Sequence, residues 1–198
     1  MDSEPDSQVG LVRCDWAEGT DPLMRAYHDE EWGTPKHGSV PLFEMLCLEI
    51  FQCGLSWSLI LHRRPAFRAA FAGFDMTAVA AFGPQEVDRL MHDEGIIRNR
   101  RKIEAVIDNA RLLVSDMPGE GFDEYCWSFT GGQTINHCYR DDADTPPYDR
   151  FSQIVSQDMK ERGMRFTGPV TVHSFLQSCG VINDHQATCF RNGCRRRI

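Results

Sequence analysis

The stretch PLFEMLCLEIFQC, residues 41–53, decides the fold. On a helix its residues are apolar on nearly every side, whereas a surface helix keeps its apolar residues within one stripe. Pro41 suits the first position of a helix, and Gly54 follows as a stop signal. The sequence therefore predicts a central helix that is buried on all sides, with the rest of the chain packed around it.

The segments outward from this helix also have helical spacing. Residues 84–91 carry one apolar stripe and residues 103–114 another, so together they predict a helix-hairpin-helix. Residues 122–129 and 151–163 suit two further helices. The piece PVTVHSF, 169–175, alternates as a strand does, but an isolated strand has no partner in a helical chain, and we expect a helix there too. The expected fold class is all-α.

Length and composition favour a soluble, single-domain protein. We expect residues 1–12 to form a disordered acidic tail, residues 13–190 a single domain of two interleaved helical lobes, and residues 191–198 a basic tail. No run approaches the ~18–20 apolar residues of a membrane span, and no signal peptide is visible. The sequence predicts a cytoplasmic monomer without a membrane partner, whose 8 cysteines are reduced.

The charge is unevenly distributed along the chain. The net charge is −8, and acidic residues concentrate in 1–8 and 141–149. Residues 98–111 are instead rich in arginine and lysine. An acidic average does not exclude a nucleic-acid partner when one face stays basic, so this segment is a candidate contact for phosphates.

The stretch VINDHQATC, 181–189, suggests a metal site. His185 and Cys189 are four residues apart, which on a helix would place both side chains on one face. Cys14 and His28 could complete the set of two cysteines and two histidines that structural zinc prefers. Because the two pairs are far apart in sequence, spacing alone leaves open that the histidines are satisfied by hydrogen bonds and that the cysteines are small buried residues.

A series of motifs runs in order along residues 13–189. They are RCDW at 13–16, DPLMRAYHDEEWG at 21–33, LFEMLCLEIFQCGLSW at 42–57, EGIIRNRRKIEAVIDNA at 94–110, WSF at 127–129 and CGVINDH at 179–185, followed by Cys189. In this combination the chain resembles the 3-methyladenine DNA glycosylase I family of the helix-hairpin-helix superfamily. The resemblance implies a bacterial-type, nucleoid-associated base-excision repair enzyme that acts on double-stranded DNA containing an alkylated base.

The resemblance also implies roles for individual residues. It assigns one structural zinc ion, which would tie the N- and C-terminal segments together, to Cys14, His28, His185 and Cys189. It places Glu49 in the pocket for the excised base, with Tyr27, Trp57 and Trp16 around it. Leu55, in the tight corner that begins at Gly54, would be pushed into the DNA. Composition alone favours the alternative that Leu55 is an ordinary core leucine.

The basic segment after residue 95 has a direct physical interpretation. A helix N-terminus offers backbone N–H groups to a phosphate, and neighbouring cations add a grip that is independent of sequence. The cations expected to do so are Arg98, Arg100, Arg101 and Lys102. The alternative is a solvated basic helix end without a ligand.

Glu49 is the residue on which the chemical interpretation depends. It lies in an apolar helix, and a buried carboxylate is costly unless it is paired or protonated. One possibility is an arginine partner within the fold. The other is that the partner arrives with the substrate, because an adenine methylated on a ring nitrogen is cationic and the faces of Tyr27 and Trp57 also attract a cation.

Two other functions stay open at this point. The chain could be a zinc-stabilised protein that binds damaged DNA without turnover, or a zinc hydrolase with Glu49 as general base. Three departures from the family pattern bear on the substrate range: Met24 stands in place of a pocket aromatic, Ile50 in place of a glycine, and His173 in place of an aromatic. No lysine stands in the pocket motifs to form a Schiff base, so a monofunctional glycosylase is expected.

Overall fold

The computed structural model describes residues 10–194, and its architecture is mostly helical. The helices are α1 (Pro22–Glu30), α2 (Ser39–Gln52), α3 (Trp57–Ala70), α4 (Met76–Ala80), α5 (Pro84–His92), α6 (Arg100–Asp116), α7 (Gly121–Ser128), α8 (Arg150–Glu161) and α9 (Pro169–Ser178). Short 3-10 turns lie at Asp15–Ala17, Ala72–Phe74 and Asp142–Asp144. Within residues 10–194, no helix combines the length and the hydrophobicity required to cross a membrane.

Helix α2 occupies the centre of the molecule, as the sequence predicts. Residues 42–51 are all buried, and α2 packs against α3, α6, α7 and α9. The helix begins two residues earlier than predicted, at Ser39, so Pro41 lies in its first turn rather than at its first position. A proline is tolerated there because the first N–H groups of a helix have no intrahelical partner.

The segment 169–175 is helical, and this prediction is confirmed. The all-α prediction needs one correction, because β1 (Ile135–Asn136) pairs in parallel with β2 (Ile182–Asn183). The pair is only two residues long and joins segments far apart in sequence, so no local pattern indicates it. It holds the chain that follows α9 in place.

The start and the end of the domain are joined by backbone contacts. The Gly33 N–H donates to the Gln177 carbonyl at 3.0 Å, and the Lys36 N–H donates to the Cys179 carbonyl at 2.9 Å. At Gly180, which has a φ of +74°, a Cβ atom would lie 2.2 Å from the carbonyl carbon of Thr34. Glycine is therefore required where the two backbones meet.

Contacts near the C-terminal end bear on two predictions. Residues 191–194 are not separate from the domain, since the Asn192 side chain donates to the His185 carbonyl and Cys194 forms a disulfide with Cys138. The disulfide corrects the expectation that all cysteines are reduced; its Cα atoms are 6.1 Å apart, within the usual range for a disulfide. Of the tails predicted at 1–12 and 191–198, residues 1–9 and 195–198 lie outside the described residues, and the two-lobe division of the domain stays a prediction.

Candidate functional site

A cavity of about 270 Å³ opens between the N-terminal segment, α2, α3 and α9. Its lining residues are Trp16, Met24, Tyr27, Trp32, Glu49, Gln52, Trp57, Ser174 and Gln177. All four residues predicted to surround the base, namely Glu49, Tyr27, Trp57 and Trp16, are therefore brought together. The cavity is the candidate binding site.

Aromatic rings form much of the cavity wall. The Tyr27 and Trp57 ring centroids are 5.2 Å apart, and those of Trp16 and Trp32 are also 5.2 Å apart in an edge-on arrangement. The indole nitrogen of Trp57 is buried and has no hydrogen-bond partner among residues 10–194. Electron-rich ring faces attract cations, and an unpartnered buried donor is available to a ligand.

Glu49 is the one carboxylate that lines this cavity within the described part of the chain. Its side chain is 4% exposed, and burial raises its pKa to about 8. No hydrogen bond or ion pair reaches the carboxylate from residues 10–194. Two arginines of α3, Arg64 and Arg68, donate to the other glutamate of α2, Glu44, each at 2.7 Å. This arrangement contradicts the alternative in which Glu49 is a structural partner of an arginine.

Sequence reasoning missed four lining residues, Trp32, Gln52, Ser174 and Gln177. Gln52 lies three residues after Glu49 on α2 and so shares its helix face, a signal that could have identified it. Ser174 and Gln177 come from α9, and no pattern in the sequence connects α9 with α2. The Gln177 side-chain amide donates to Asp184 Oδ2 at 2.7 Å, which fixes its orientation.

The three departures from the family pattern occupy different environments. Met24 lines the cavity. Ile50 is fully buried in the core and lies outside the lining. His173 is buried behind Gln177, with its Nε2 3.3 Å from Asp184 Oδ2. Of the three, Met24 alone changes the cavity surface directly.

The connection between α2 and α3 forms a tight corner beside the cavity. Gly54 has a φ of +81°, a conformation that favours glycine, and the Leu55 N–H donates to the Gln52 carbonyl at 2.7 Å. Leu55 is 36% exposed, so it is not an ordinary core leucine. Gln52 and Trp57, which flank this corner, both line the cavity. Leu55 therefore lies at the rim of the cavity.

The basic segment lies at the start of α6, with Asn99 as its N-cap. Arg98 and Arg100 are exposed and lie 3.7 Å from Glu94 and Glu104 respectively, whereas Arg101 is exposed and makes no ion pair within residues 10–194. Such exposed pairs are weak and leave the arginines available.

Lys102 differs from its three basic neighbours, and its predicted phosphate contact is corrected. It is 6% exposed, and its ammonium donates to the backbone carbonyls of Phe51 at 2.8 Å and Cys53 at 2.7 Å. The ammonium is thus held inside the protein. Helical periodicity explains the difference, because position 102 faces the core side of α6.

Cys14, His28, His185 and Cys189 form a compact, buried cluster whose ligand atoms all lie within 4.8 Å of one another. His185 and Cys189 do not lie on a helix as expected; they lie in the turn after β2, which still brings Cys189 Sγ to 3.5 Å from His185 Nδ1. His28 Nε2 is 3.2 Å from His185 Nδ1 and 3.4 Å from Cys189 Sγ. The cluster could hold a metal ion.

Groups around the cluster orient its side chains. Asp29 contacts His28 Nδ1 at 2.8 Å, and the Trp32 carbonyl contacts His185 Nε2 at 2.9 Å. The Gln186 N–H donates to Cys14 Sγ at 3.3 Å. Metal-binding histidines commonly use their second ring nitrogen in this way. These contacts are compatible with a metal ion held by the four residues.

The fold and site define a class: a helical protein with an aromatic, acid-containing cavity beside an exposed leucine corner and a basic helix start. The methyladenine glycosylase family model matches residues 16–192. The chain is 44% identical over 180 residues to DNA-3-methyladenine glycosylase 1 of Escherichia coli K12, covering 90% of this chain and 96% of the relative. The chain belongs to the methyladenine glycosylase family, which confirms the resemblance drawn from its motifs.

Further relatives support the same conclusion. DNA-3-methyladenine glycosylase of Haemophilus influenzae is 38% identical over 179 residues, covering 90% of this chain and 96% of the relative. A crystal structure of 3-methyladenine DNA glycosylase I superposes with a TM-score of 0.87 at 42% identity, covering 91% of this chain and 100% of that one. A variant of 3-methyladenine DNA glycosylase I in complex with 3-methyladenine has a TM-score of 0.84 at 34% identity, covering 89% and 95%.

Proposed function

We propose that the chain is a monofunctional base-excision repair glycosylase that hydrolyses the N-glycosidic bond of 3-methyladenine in double-stranded DNA and leaves an abasic site. One observation carries the proposal: the carboxylate of Glu49, which has no hydrogen-bond or ion-pair partner within residues 10–194, is buried in an aromatic cavity. Membership of the family supports it. The enzyme is expected to act as a monomer in a bacterial cytoplasm, near the nucleoid.

The cavity suits one cationic base. Its volume of about 270 Å³ is just below the roughly 300–1,000 Å³ of pockets for drug-sized ligands. The rings of Tyr27 and Trp57 provide faces for a cation, and Glu49 provides an opposite charge and hydrogen-bond acceptors for an exocyclic amino group. Neutral adenine lacks the charge, so the site discriminates by electrostatics as well as by shape.

The reaction needs little acid catalysis. A methylated adenine leaves as a neutral base, because departure removes its positive charge. The cavity lining contains no lysine among the described residues, so it offers no amine for a Schiff-base intermediate. As the N-glycosidic bond breaks, its electron pair neutralises the base and the positive charge passes to the sugar. Water then forms a bond to the sugar carbon and loses a proton, and Glu49 can stabilise the positive charge while the bond breaks.

The base must leave the duplex before it can enter the cavity. Flipping costs a few kcal/mol of unstacking, and an apolar side chain that fills the gap offsets part of this cost. Leu55, on the Gly54 corner at the cavity rim, is placed to do so. Helices α5 and α6 form the helix-hairpin-helix in this proposal. Arg98, Arg100 and Arg101, at the start of α6, hold the DNA phosphates.

The buried cluster binds one structural zinc ion in this proposal. A tetrahedral zinc with bonds of ~2.3 Å to sulfur and ~2.0–2.1 Å to nitrogen separates its ligand atoms by roughly 3.3–3.8 Å. The distances of 3.2–3.5 Å among His28, His185 and Cys189 fit this arrangement. Four protein ligands leave no open position for water, which argues against a zinc hydrolase.

Binding of damaged DNA without turnover is the second candidate, because Met24 replaces an aromatic in the cavity wall. The deciding experiment incubates the protein with methylated duplex DNA, with and without a chelator, and measures release of free 3-methyladenine. Release supports the glycosylase. Binding to abasic DNA without any release would support the second candidate.

The pH dependence of excision should report Glu49. Because burial raises its pKa to about 8, the free protein carries more of the neutral acid as the pH falls below that value. A cationic base requires the carboxylate, so kcat/KM should rise with pH up to about 8. Measuring kcat/KM between about pH 6 and pH 9 should reveal this ionisation in the wild type and its loss in Glu49→Gln. Identical profiles would contradict the assignment.

The same ionisation affects stability with a definite sign. The native protein retains a proton on Glu49 between the ordinary carboxyl pKa of 4.5 and about 8, whereas the unfolded chain has lost it. The free energy of unfolding contributed by this group therefore falls as the pH rises through that window. Glu49→Gln should remove that part of the fall.

Replacing Arg98, Arg100 and Arg101 by alanine should weaken binding to abasic duplex DNA of any sequence. Each lost phosphate contact should flatten the slope of log affinity against log salt by about 0.9. Binding measured between about 50 and 200 mM salt tests this, and Arg140→Ala, an exposed arginine beside the acidic segment 141–149, is the control. An unchanged slope would mean that the segment is only a solvated helix end.

A further inference from the structure

Lys102 lies in the first turn of α6, and its ammonium reaches the far end of α2. Its two acceptors, the carbonyls of Phe51 and Cys53, lie 2.8 and 2.7 Å away. The last carbonyls of a helix have no intrahelical partner, and a cation there interacts favourably with the helix dipole. The contact is therefore favourable for α2.

The same contact is unfavourable for Lys102 itself. Burial lowers the pKa of its ammonium, and a cation in the first turn of its own helix opposes the dipole of α6. A cap on α2 alone could be provided by water or by a polar side chain without burying a charge. The ammonium is buried despite this cost, which indicates that its position between the start of α6 and the end of α2 has a role beyond capping.

The acceptors belong to the corner that carries Leu55. A Cβ added to Gly54 would meet nothing within 4 Å, so this side of the corner faces open space. Within residues 10–194, two side chains from other helices hydrogen-bond it: Lys102, and Thr171, whose hydroxyl is 3.2 Å from Cys53 Sγ. Lys102 contributes the charged contacts and is the stronger support.

We infer that Lys102 is a positioning residue. It links the corner to α6, the helix whose first turn holds the phosphates, and so sets how far Leu55 extends into the DNA. Arg101, next to Lys102 on α6, is exposed and faces away from the core. Movement of the phosphate-binding turn would thus carry the corner with it. The inference rests on the proposed function, because it requires that this chain flips a base.

The test separates positioning of the corner from affinity for phosphates. The probe is a duplex with a tetrahydrofuran abasic analogue and a neighbouring 2-aminopurine, whose fluorescence rises when it is unstacked. At saturating protein, Lys102→Met and Leu55→Ala should both reduce the rise, whereas Arg101→Met should instead weaken affinity and flatten its salt dependence. Thr171→Val, which removes the weaker contact, should have a smaller effect than Lys102→Met.

Excision provides the second measurement. Single-turnover release of 3-methyladenine at saturating protein should fall about ten- to a hundredfold in Lys102→Met, as expected for a misplaced group. The double variant Leu55→Ala/Lys102→Met should be no slower than Leu55→Ala alone, because both changes impair the same step, the insertion of Leu55 into the DNA. Additive losses would overturn the inference.

Two outcomes contradict the positioning role directly. The first is a Lys102→Met protein with a wild-type fluorescence rise and wild-type excision at saturation. The second is a Lys102→Met protein whose only defect is a lowered slope of affinity against salt. If Lys102→Met melts below the assay temperature, Lys102→Gln takes its place. Glutamine retains a neutral hydrogen-bond donor, so this variant should lose part of the fluorescence rise. A wild-type protein that releases no base would remove the proposed function, while the fluorescence assay, which needs no catalysis, would still test Lys102.

Discussion

Glu49→Gln should lower single-turnover excision of 3-methyladenine by roughly ten- to more than a hundredfold. The amide keeps the shape of the side chain and one acceptor but loses the charge that faces the cationic base. A hydrogen bond to a charged group contributes about 1.5–3 kcal/mol, and its complete loss in the transition state gives that range. Binding to abasic DNA should change little, because no base is present to contact Glu49.

Glu44→Gln is the matched control on the same helix. Both glutamates of α2 are buried, but Glu44 accepts hydrogen bonds from Arg64 and Arg68, so its replacement should lower the melting temperature. Glu49→Gln should leave the melting temperature unchanged or raise it, since the substitution removes a buried carboxyl group that has no partner within residues 10–194. Undiminished excision by a well-folded Glu49→Gln protein would exclude Glu49 from base recognition.

Cys189→Ser should reduce both bound metal and stability. Structural zinc contributes about 10–16 kcal/mol in small zinc-binding peptides, and loss of one ligand should cost this domain about 3–5 kcal/mol. For a protein of this size that corresponds to a fall of roughly 6–20 °C in melting temperature. Metal analysis should find one zinc ion per wild-type chain and less in the variant.

Cys53→Ser is the control for a general effect of removing a thiol. Cys53 is half-buried and outside the cluster, and a hydroxyl can replace its contact with Thr171. It should keep the metal and most of the stability. Gently purified wild-type protein without zinc would contradict the metal assignment, whatever the variants do.

The sequence predicts those features that local patterns determine. The apolar run of residues 41–53 indicates a central helix, and Glu49 and Gln52 are its two polar residues that line the cavity. Residues 169–175 alternate as a strand does, but the sequence offers no partner strand for them. The helix predicted there for that reason is confirmed. Tyr27, Trp57 and Trp16 are brought together, but it was the combined motifs, more than any spacing rule, that linked them to Glu49.

Features that depend on distant contacts could not be predicted in this way. Gln177 joins the cavity because α9 packs beside α2, and the Cys138–Cys194 disulfide closes a separation of 56 residues. Lys102 shows a different limit. Its charge suggests a phosphate contact, but its position on α6 faces the core. Its burial therefore determines its contacts, and the basic composition of the segment does not. Helical phase should therefore be considered before a basic run is assigned to DNA.

The cysteine and histidine cluster also has a consequence for how the protein is made. His28 and His185 are 157 residues apart in sequence but in contact, so this contact can form only after the segment that contains His185 has been synthesised. The rings of Trp16 and Trp32 pack against these histidines at 5.1 and 4.6 Å. A nascent chain whose Cys189 is still inside the ribosome therefore lacks a finished cavity wall.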